Sequence, residues 1–311
     1  MAIPIDRRIL ALRRFALSIS ILNILGHSFL GFEQSLAVVF SGLFTAYITE
    51  FLLETVDSRV HRRRPLYACG KQALVDFFLP SHITGLGTTM LMYSNDEILP
   101  ICFAAAIGIC SKYIFRNRRG TESRHFMNPS NIGILTTLIL FPQVTLAAGS
   151  QFTKNLFGLA DWGICLVVIL VGSLLNGKLT LRMPLIGGWI LGFILQAVGR
   201  HLVFNQPLLG LLLPVTGFAF LLFTYYMITD PGTTPSKNKP QLAFGLSVGI
   251  LYGVITMFHV VYGFFFSLLA VCLVRGLYIE WNNRKSARVQ FEPEHSPAPG
   301  RTQLLLEPAT V

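Results

Sequence analysis

The chain has 311 residues, 52% of them hydrophobic and only 13% charged, with a mean hydropathy of +0.59 and a formal net charge of +10. A soluble chain of this length carries about a quarter charged residues, so the composition excludes an ordinary cytosolic enzyme and a disordered chain. The basic residues punctuate apolar runs and do not cover a polar domain, which argues against a nucleic-acid binder and reads as a polytopic membrane protein contacting the lipid bilayer.

A short basic segment, residues 1–14, precedes the first apolar run. Crossing a bilayer takes roughly 17–25 apolar residues per helix. On that ruler the sequence predicts an all-α polytopic membrane protein with ten spans, at about 15–31, 36–53, 73–94, 98–115, 131–148, 161–177, 183–200, 208–227, 241–258 and 260–279. The first run lacks a small-x-small exit, so it reads as a span and not as a cleaved signal. With a cytoplasmic N-terminus, all of the 25 Lys and Arg residues except Lys154 and Arg200 fall on the cytoplasmic side. The positive-inside rule therefore supports both the span count and two cytoplasmic termini. Residues 281–311 are polar, with Pro293, Pro297, Pro299 and Pro308, and read as a disordered cytoplasmic tail. The cluster Arg62-Arg63-Arg64 reads as a topology determinant or as a lipid-headgroup site.

The third and eighth spans share a local pattern. Leu79-Pro80-Ser81-His82-Ile83-Thr84-Gly85 resembles Leu213-Pro214-Val215-Thr216-Gly217, and each lies before a basic, Pro-containing stretch. The two spans are five apart, so the pattern predicts two five-helix halves, about 15–148 and 161–280. An odd number of spans per half makes the repeat inverted. Proline followed by glycine at mid-span predicts interrupted helices, which lipid tolerates only where the freed backbone lines a cavity or a ligand.

Several polar groups stand inside or beside these spans. Glu50 and Asp76 read as interfacial acids paired with a base such as Lys71 or Arg59, or as functional proton or ligand contacts. His27, His82 and His259 are isolated and read as helix–helix hydrogen-bonding groups or, with no second ligand at i+3 or i+4, as much weaker metal or haem candidates. Five cysteines form no CxxC pair, which argues against a disulfide framework or a zinc or iron–sulfur site.

Two junctions carry more information. In Phe126-Met127-Asn128-Pro129-Ser130-Asn131, Asn128 before Pro129 is a helix-start signal, and the free N–H groups of the following helix face the cytoplasmic side. In Met227-Ile228-Thr229-Asp230-Pro231-Gly232-Thr233-Thr234-Pro235, an Asp-Pro-Gly turn sets a carboxylate beside several hydroxyls. Each alone is ordinary capping and turn chemistry. Their occurrence on one face in both halves points to a shared site.

These junctions, with Thr84-Gly85-Leu86 and Lys239, carry a resemblance over about 70–280 to the NqrB/RnfD family, the flavin-bearing membrane subunits of sodium-pumping NADH:quinone reductases and Rnf electron-transport complexes. The extended junctions look closest to stand-alone bacterial members, some of them associated with enediyne antibiotic gene clusters. The resemblance implies a bacterial cytoplasmic membrane protein of ten helices in two inverted halves, holding FMN or riboflavin and working with a redox partner protein. It implies that Asn128, Ser130, Thr229 and Asp230 contact the cofactor beside Pro129, and that Thr84, Gly85 and Thr216 line the broken spans. The family esterifies FMN to a threonine in a Ser-Gly-Ala-Thr motif. The corresponding loop of this sequence is Gly149-Ser150-Gln151-Phe152-Thr153, so covalent attachment is doubtful and Thr153 is the one candidate there. No GxGxxG follows a strand pattern, so electrons would come from partner subunits. Two functions compete on these residues: a flavin-holding electron-transfer subunit, and a small-solute or ion transporter built on the same inverted repeat.

Overall fold

The computed structural model describes residues 7–119, 122–147 and 154–291. The apolar runs form helices in the predicted order: α1 (Arg7–Leu25), α2 (Leu36–Val60), α3 (Lys71–Leu91), α4 (Ile98–Ile114), α5 (Pro129–Leu140), α6 (Leu159–Leu174), α7 (Met183–Phe204), α8 (Leu208–Leu212), α9 (Phe218–Leu222), α10 (Asn238–Met257) and α11 (Gly263–Phe291). Two short antiparallel ladders join them: β1 (Met92–Tyr93) with β4 (Thr145–Leu146), and β2 (Arg116–Arg119) with β3 (Glu122–His125). The chain is an all-α membrane protein. Among the described residues six helices are long and apolar enough to cross a bilayer, and the bent unit Leu208–Thr216 with Phe218–Met227 makes a seventh if it is one span. Two further apolar helices, Ile98–Ile114 and Pro129–Leu140, are shorter than that. Large apolar side chains such as Ile24, Phe44, Leu170, Leu209 and Val274 stand exposed on the outside, as a lipid-facing surface requires.

Helix packing follows one rule in both parts of the chain. In the first, α1 packs on α3, α2 on α3 and on α4, and α4 on α5. In the second, α6 packs on α9, α7 on α8 and on α10, and α10 on α11. If α8 and α9 are counted together, each of these four pairings recurs five segments later, whereas the packing of α3 on α4 and on α5 has no counterpart of similar extent. The parts meet where α5 touches α11 and where α1 touches the turn after α6, again five segments apart.

The same offset appears in the helix ends. Helix α1 runs into a π turn at Gly26–Leu30 and α6 into one at Leu175–Leu179. Beside each turn a buried asparagine bonds back by four residues and across to the neighbouring element. Asn23 Nδ2 donates to the Ile19 carbonyl at 3.0 Å and reaches Met90 Sδ at 3.7 Å, while Asn176 Nδ2 donates to the Gly172 and Tyr225 carbonyls, both at 2.9 Å.

Glycine sets the tightest contact. A Cβ on Gly192 would sit 2.6 Å from the Leu246 carbonyl oxygen, and one on Gly249 would sit 2.6 Å from backbone atoms of Gly192 and Phe193. Helices α7 and α10 thus approach backbone to backbone, as small-residue seams allow in membranes. Beside this seam Trp189 is fully buried among Phe193, Phe220, Phe223, Tyr252 and Phe264, and its indole N–H donates to Thr224 Oγ1 at 2.9 Å.

Three expectations need correction. Helix α3 passes through Pro80 and Gly85 unbroken, whereas the Pro214–Gly217 segment bends the chain by 68°. In α3 the hydroxyl of Thr84 donates to the Pro80 carbonyl at 2.9 Å within regular helix, and Gly85 lies against Leu43 and Ala46 of α2. At the other site a 3-10 turn at Leu213–Thr216 tightens the chain and Gly217 then goes extended. Glu50 and Asp76 are paired, but with Lys112 at 2.6 Å and Arg13 at 2.7 Å, not with Lys71 or Arg59. Finally, α11 continues to Phe291, past the start of the segment read as disordered, while residues 292–311 lie outside the described residues.

Candidate functional site

A cavity of about 250 Å³ lies between the two parts of the chain, bordered by α1, α3, α6 and α9. Its walls are mainly apolar and include Phe15, Ile19, Leu22, Val168, Leu222 and Tyr226. Space for it comes partly from Gly87, where a Cβ would stand 3.5 Å from Ser130 Oγ and 3.9 Å from Ile19 Cδ1. At the end that carries the basic loops, the wall turns polar: Lys112, His125, Asn128, Ser130, Thr229 and Asp230 form the mouth.

Asn128 builds the first side of the mouth. Its Oδ1 accepts from the Asn131 backbone N–H at 3.0 Å, capping α5 with Pro129 at the first helical position. Its Nδ2 donates to the Met227 carbonyl at 3.0 Å, which ties the start of α5 to the end of the bent unit. Asn131 Nδ2 donates to the Phe265 carbonyl at 3.0 Å, and Asn117 Nδ2 donates to the Gly276 carbonyl at 2.8 Å, both on α11. Gly108 lets α4 approach this cap, since a Cβ there would be 2.7 Å from the Pro129 carbonyl oxygen.

The Asp-Pro-Gly turn builds the second side. Asp230 Oδ1 accepts from the Gly232 N–H at 3.0 Å, Oδ2 accepts from Thr233 Oγ1 at 3.2 Å, and the Asp230 carbonyl accepts from Thr234 Oγ1 at 2.6 Å. His125 Nε2 stands 3.9 Å from Asp230 Oδ2, an ion-pair distance longer than a hydrogen bond. Burial pushes the Asp230 pKa up, but His125, the Gly232 N–H and the Thr233 hydroxyl outweigh it, and the carboxyl lies below its ordinary range. Arg275 anchors the turn from α11 by donating to the Thr233 carbonyl at 2.5 Å, and Arg182 donates to the Pro235 carbonyl.

A second buried charge group adjoins the mouth through Lys112. Its Nζ lies 2.6 Å from Glu50 Oε2, while Tyr113 donates to Glu50 Oε1 at 3.0 Å. One turn further along α2, Glu54 accepts from Arg63 and from the Leu66 N–H. Arg63 also binds Asp57, and its guanidinium pKa is raised, chiefly by the Glu54 hydrogen bond.

Six of the nine residues singled out from sequence line this one cavity: Thr84, Asn128, Pro129, Ser130, Thr229 and Asp230. Gly85 does not line it, because it packs on α2. Thr216 is exposed, donating its hydroxyl to the Leu213 carbonyl at 2.8 Å. Thr153 lies outside the described residues. The hydroxyls of Thr84 and Thr229 and the amide of Asn128 already bond to backbone, so their first role is to shape the wall. Sequence reasoning missed His125, Lys112, Gly87 and Gly232. His125 immediately precedes the Phe126–Asn131 junction, three residues before Asn128, and Gly232 belongs to the Asp-Pro-Gly turn; Gly87 gave no signal without its neighbours.

His82 does bridge helices, with Nδ1 2.6 Å from the Tyr47 hydroxyl and Nε2 2.7 Å from the Ser20 hydroxyl. No protein-family model matches the chain, and no curated protein matches it in sequence.

Proposed function

We propose that the chain is a membrane electron-transfer subunit that holds a flavin, FMN or riboflavin, without a covalent bond in the cavity between its two parts. Ten spans in two inverted halves, both termini cytoplasmic in a bacterial cytoplasmic membrane, form the frame of this reading. The recurrence of four helix pairings five segments later supports the repeat, and the sorting of basic residues supports the orientation.

The observation that carries the proposal is the convergence of the Asn-Pro and Thr-Asp-Pro junctions, from opposite parts of the chain, on one apolar cavity with a polar mouth. The fit can be judged from the walls. A volume of about 250 Å³ is just under the roughly 300–1,000 Å³ of pockets that enclose a drug-sized ligand, which suits a planar ring with its chain outside. Phe15, Leu22, Leu222 and Tyr226 offer apolar faces. Ser130 offers a hydroxyl with no hydrogen bond to the protein among the described residues, and Asp230 an acceptor. The Asp230 carboxylate repels phosphate, so the uncharged riboflavin ring suits this mouth better than an FMN phosphate does. The bound flavin supplies the redox chemistry; the residues bind, orient and exclude water. A redox partner protein delivers the electrons.

A second reading, a small-solute or ion transporter, is favoured by the 68° break ahead of α9 and by the π turns that end α1, α6 and α9. Against it stand the Asn128–Met227, Asn131–Phe265 and Asn117–Gly276 bonds, which staple the two parts at the basic end and which a rocking motion would break. Purification in mild detergent from flavin-replete cells tests the first reading by colour. Uptake into proteoliposomes, lost in Asp230→Asn, would support the second.

A further inference from the structure

We infer that His125 is the proton-exchange residue of the cavity, held in place by Asp230 and given its space by Gly232. This rests on the flavin reading above and adds a residue and a reaction step to it.

Three observations carry it. First, the imidazole lines the cavity and its side chain keeps 18% exposure. Second, its Nε2 faces an ionised carboxylate at 3.9 Å that belongs to the other part of the chain. Asp230 also accepts from the Gly232 N–H and the Thr233 hydroxyl, and these bonds favour its charged form, so it can stabilise an imidazolium without taking the proton itself. Third, Gly232 sits directly under the ring: a Cβ there would be 2.5 Å from Nε2 and 2.8 Å from Cε1. Gly232 does not have a positive φ, so the turn does not need glycine for backbone conformation; the close approach of the imidazole does.

The charges around the ring are defined. Arg116 is its partner across the β2–β3 ladder and Arg124 precedes it. Helix α4 contributes Lys112, whose charge is matched by Glu50. Helix α11 contributes Cys272 and Arg275, both felt at the Asp230 end of the pair. Asp230 is the carboxylate opposite the ring.

His125 in its imidazolium form would give up one ring proton: the N–H bond breaks, its electron pair stays on the ring nitrogen, and the proton passes into the cavity, where a bound flavin reduced by the redox partner would supply the accepting base. Neutral imidazole then takes a proton from water at its exposed edge, and Asp230 remains a carboxylate throughout. A free histidine side chain changes charge at roughly pH 5 to 8, which sets the range of pH to scan.

The test is a spectroelectrochemical titration of flavin bound to the detergent-purified protein at pH values across that range, in wild type, His125→Gln and Asp230→Asn. The expected result is a break in the pH dependence of the flavin potential in wild type, its loss in His125→Gln at equal flavin content, and its displacement along the pH axis in Asp230→Asn. A purely structural role for His125 would change flavin content and leave the break. Should His125→Gln not fold, Asp230→Asn decides, since it keeps the imidazole. A break unchanged in the folded variants overturns the role of His125 and leaves the flavin reading standing. Wild type without flavin overturns both.

Discussion

Asn128 donates its side-chain amide to the carbonyl of Met227, 99 positions later, at 3.0 Å, while its carbonyl oxygen caps α5. One side chain thus starts a helix and ties it to the end of the bent unit across the cavity mouth. Loss of a capping residue costs about 0.5–2 kcal/mol, and a hydrogen bond contributes about 0.5–1.5 kcal/mol more. Asn128→Ala should therefore lower the thermal midpoint in detergent and weaken flavin retention. Asn128→Asp keeps the cap but loses the donor, so it should retain more stability than Asn128→Ala and still loosen the mouth. Equal stability of Asp and Ala variants would remove the cap from this account.

The glycine seam predicts a sharp contrast between neighbours. A Cβ on Gly188 would run into the Leu242 backbone, whereas nothing lies within 4 Å of one on Gly187. Gly188→Ala should cost about 1–3 kcal/mol or more, because backbone cannot yield as a side chain can. Gly187→Ala should be neutral or stabilising by about 0.5–1 kcal/mol through helix propensity. Thermal unfolding of the two variants side by side checks this, and similar midpoints would contradict the seam.

Lys112 and Glu50 are both buried, and removing one leaves the other charge unpaired. Lys112→Met should cost about 3–5 kcal/mol, with most of the loss recovered in Lys112→Met/Glu50→Gln. A double variant as unstable as the single one would mean that Lys112 acts through some other contact.

Asp230 gives a stability-versus-pH prediction with a definite sign. Its folded-state pKa is lowered from the ordinary 3.8, so its contribution is complete above the unfolded value and is lost as pH falls through the lower, folded one. Wild type should lose thermal stability below about pH 4 more steeply than Asp230→Asn does. Parallel curves for the two proteins would show that the carboxylate contributes nothing across the mouth.

Much of the frame was legible because apolar runs and cap signals are local. Asn128-Pro129 announced the start of α5, and Pro214 with Gly217 announced the bend. The same reasoning misjudged Pro80, because whether a proline breaks a helix depends on neighbours such as Thr84 and the α2 surface under Gly85. The partners of Glu50 and Asp76 were out of reach for a related reason: Lys112 and Arg13 are 62 and 63 positions away. Five of the six site residues converged because they sit at two chain junctions; Thr84 joins them from within α3. Gly87 and the space that Gly232 leaves for His125 act through what they allow to come near, which no one-dimensional pattern records.

The most direct measurement is the visible absorption spectrum of the full chain purified in mild detergent from flavin-replete cells. The account predicts yellow protein whose flavin is released on denaturation, with less retained in Asn128→Ala and Asp230→Ala. Colourless wild-type protein would contradict it.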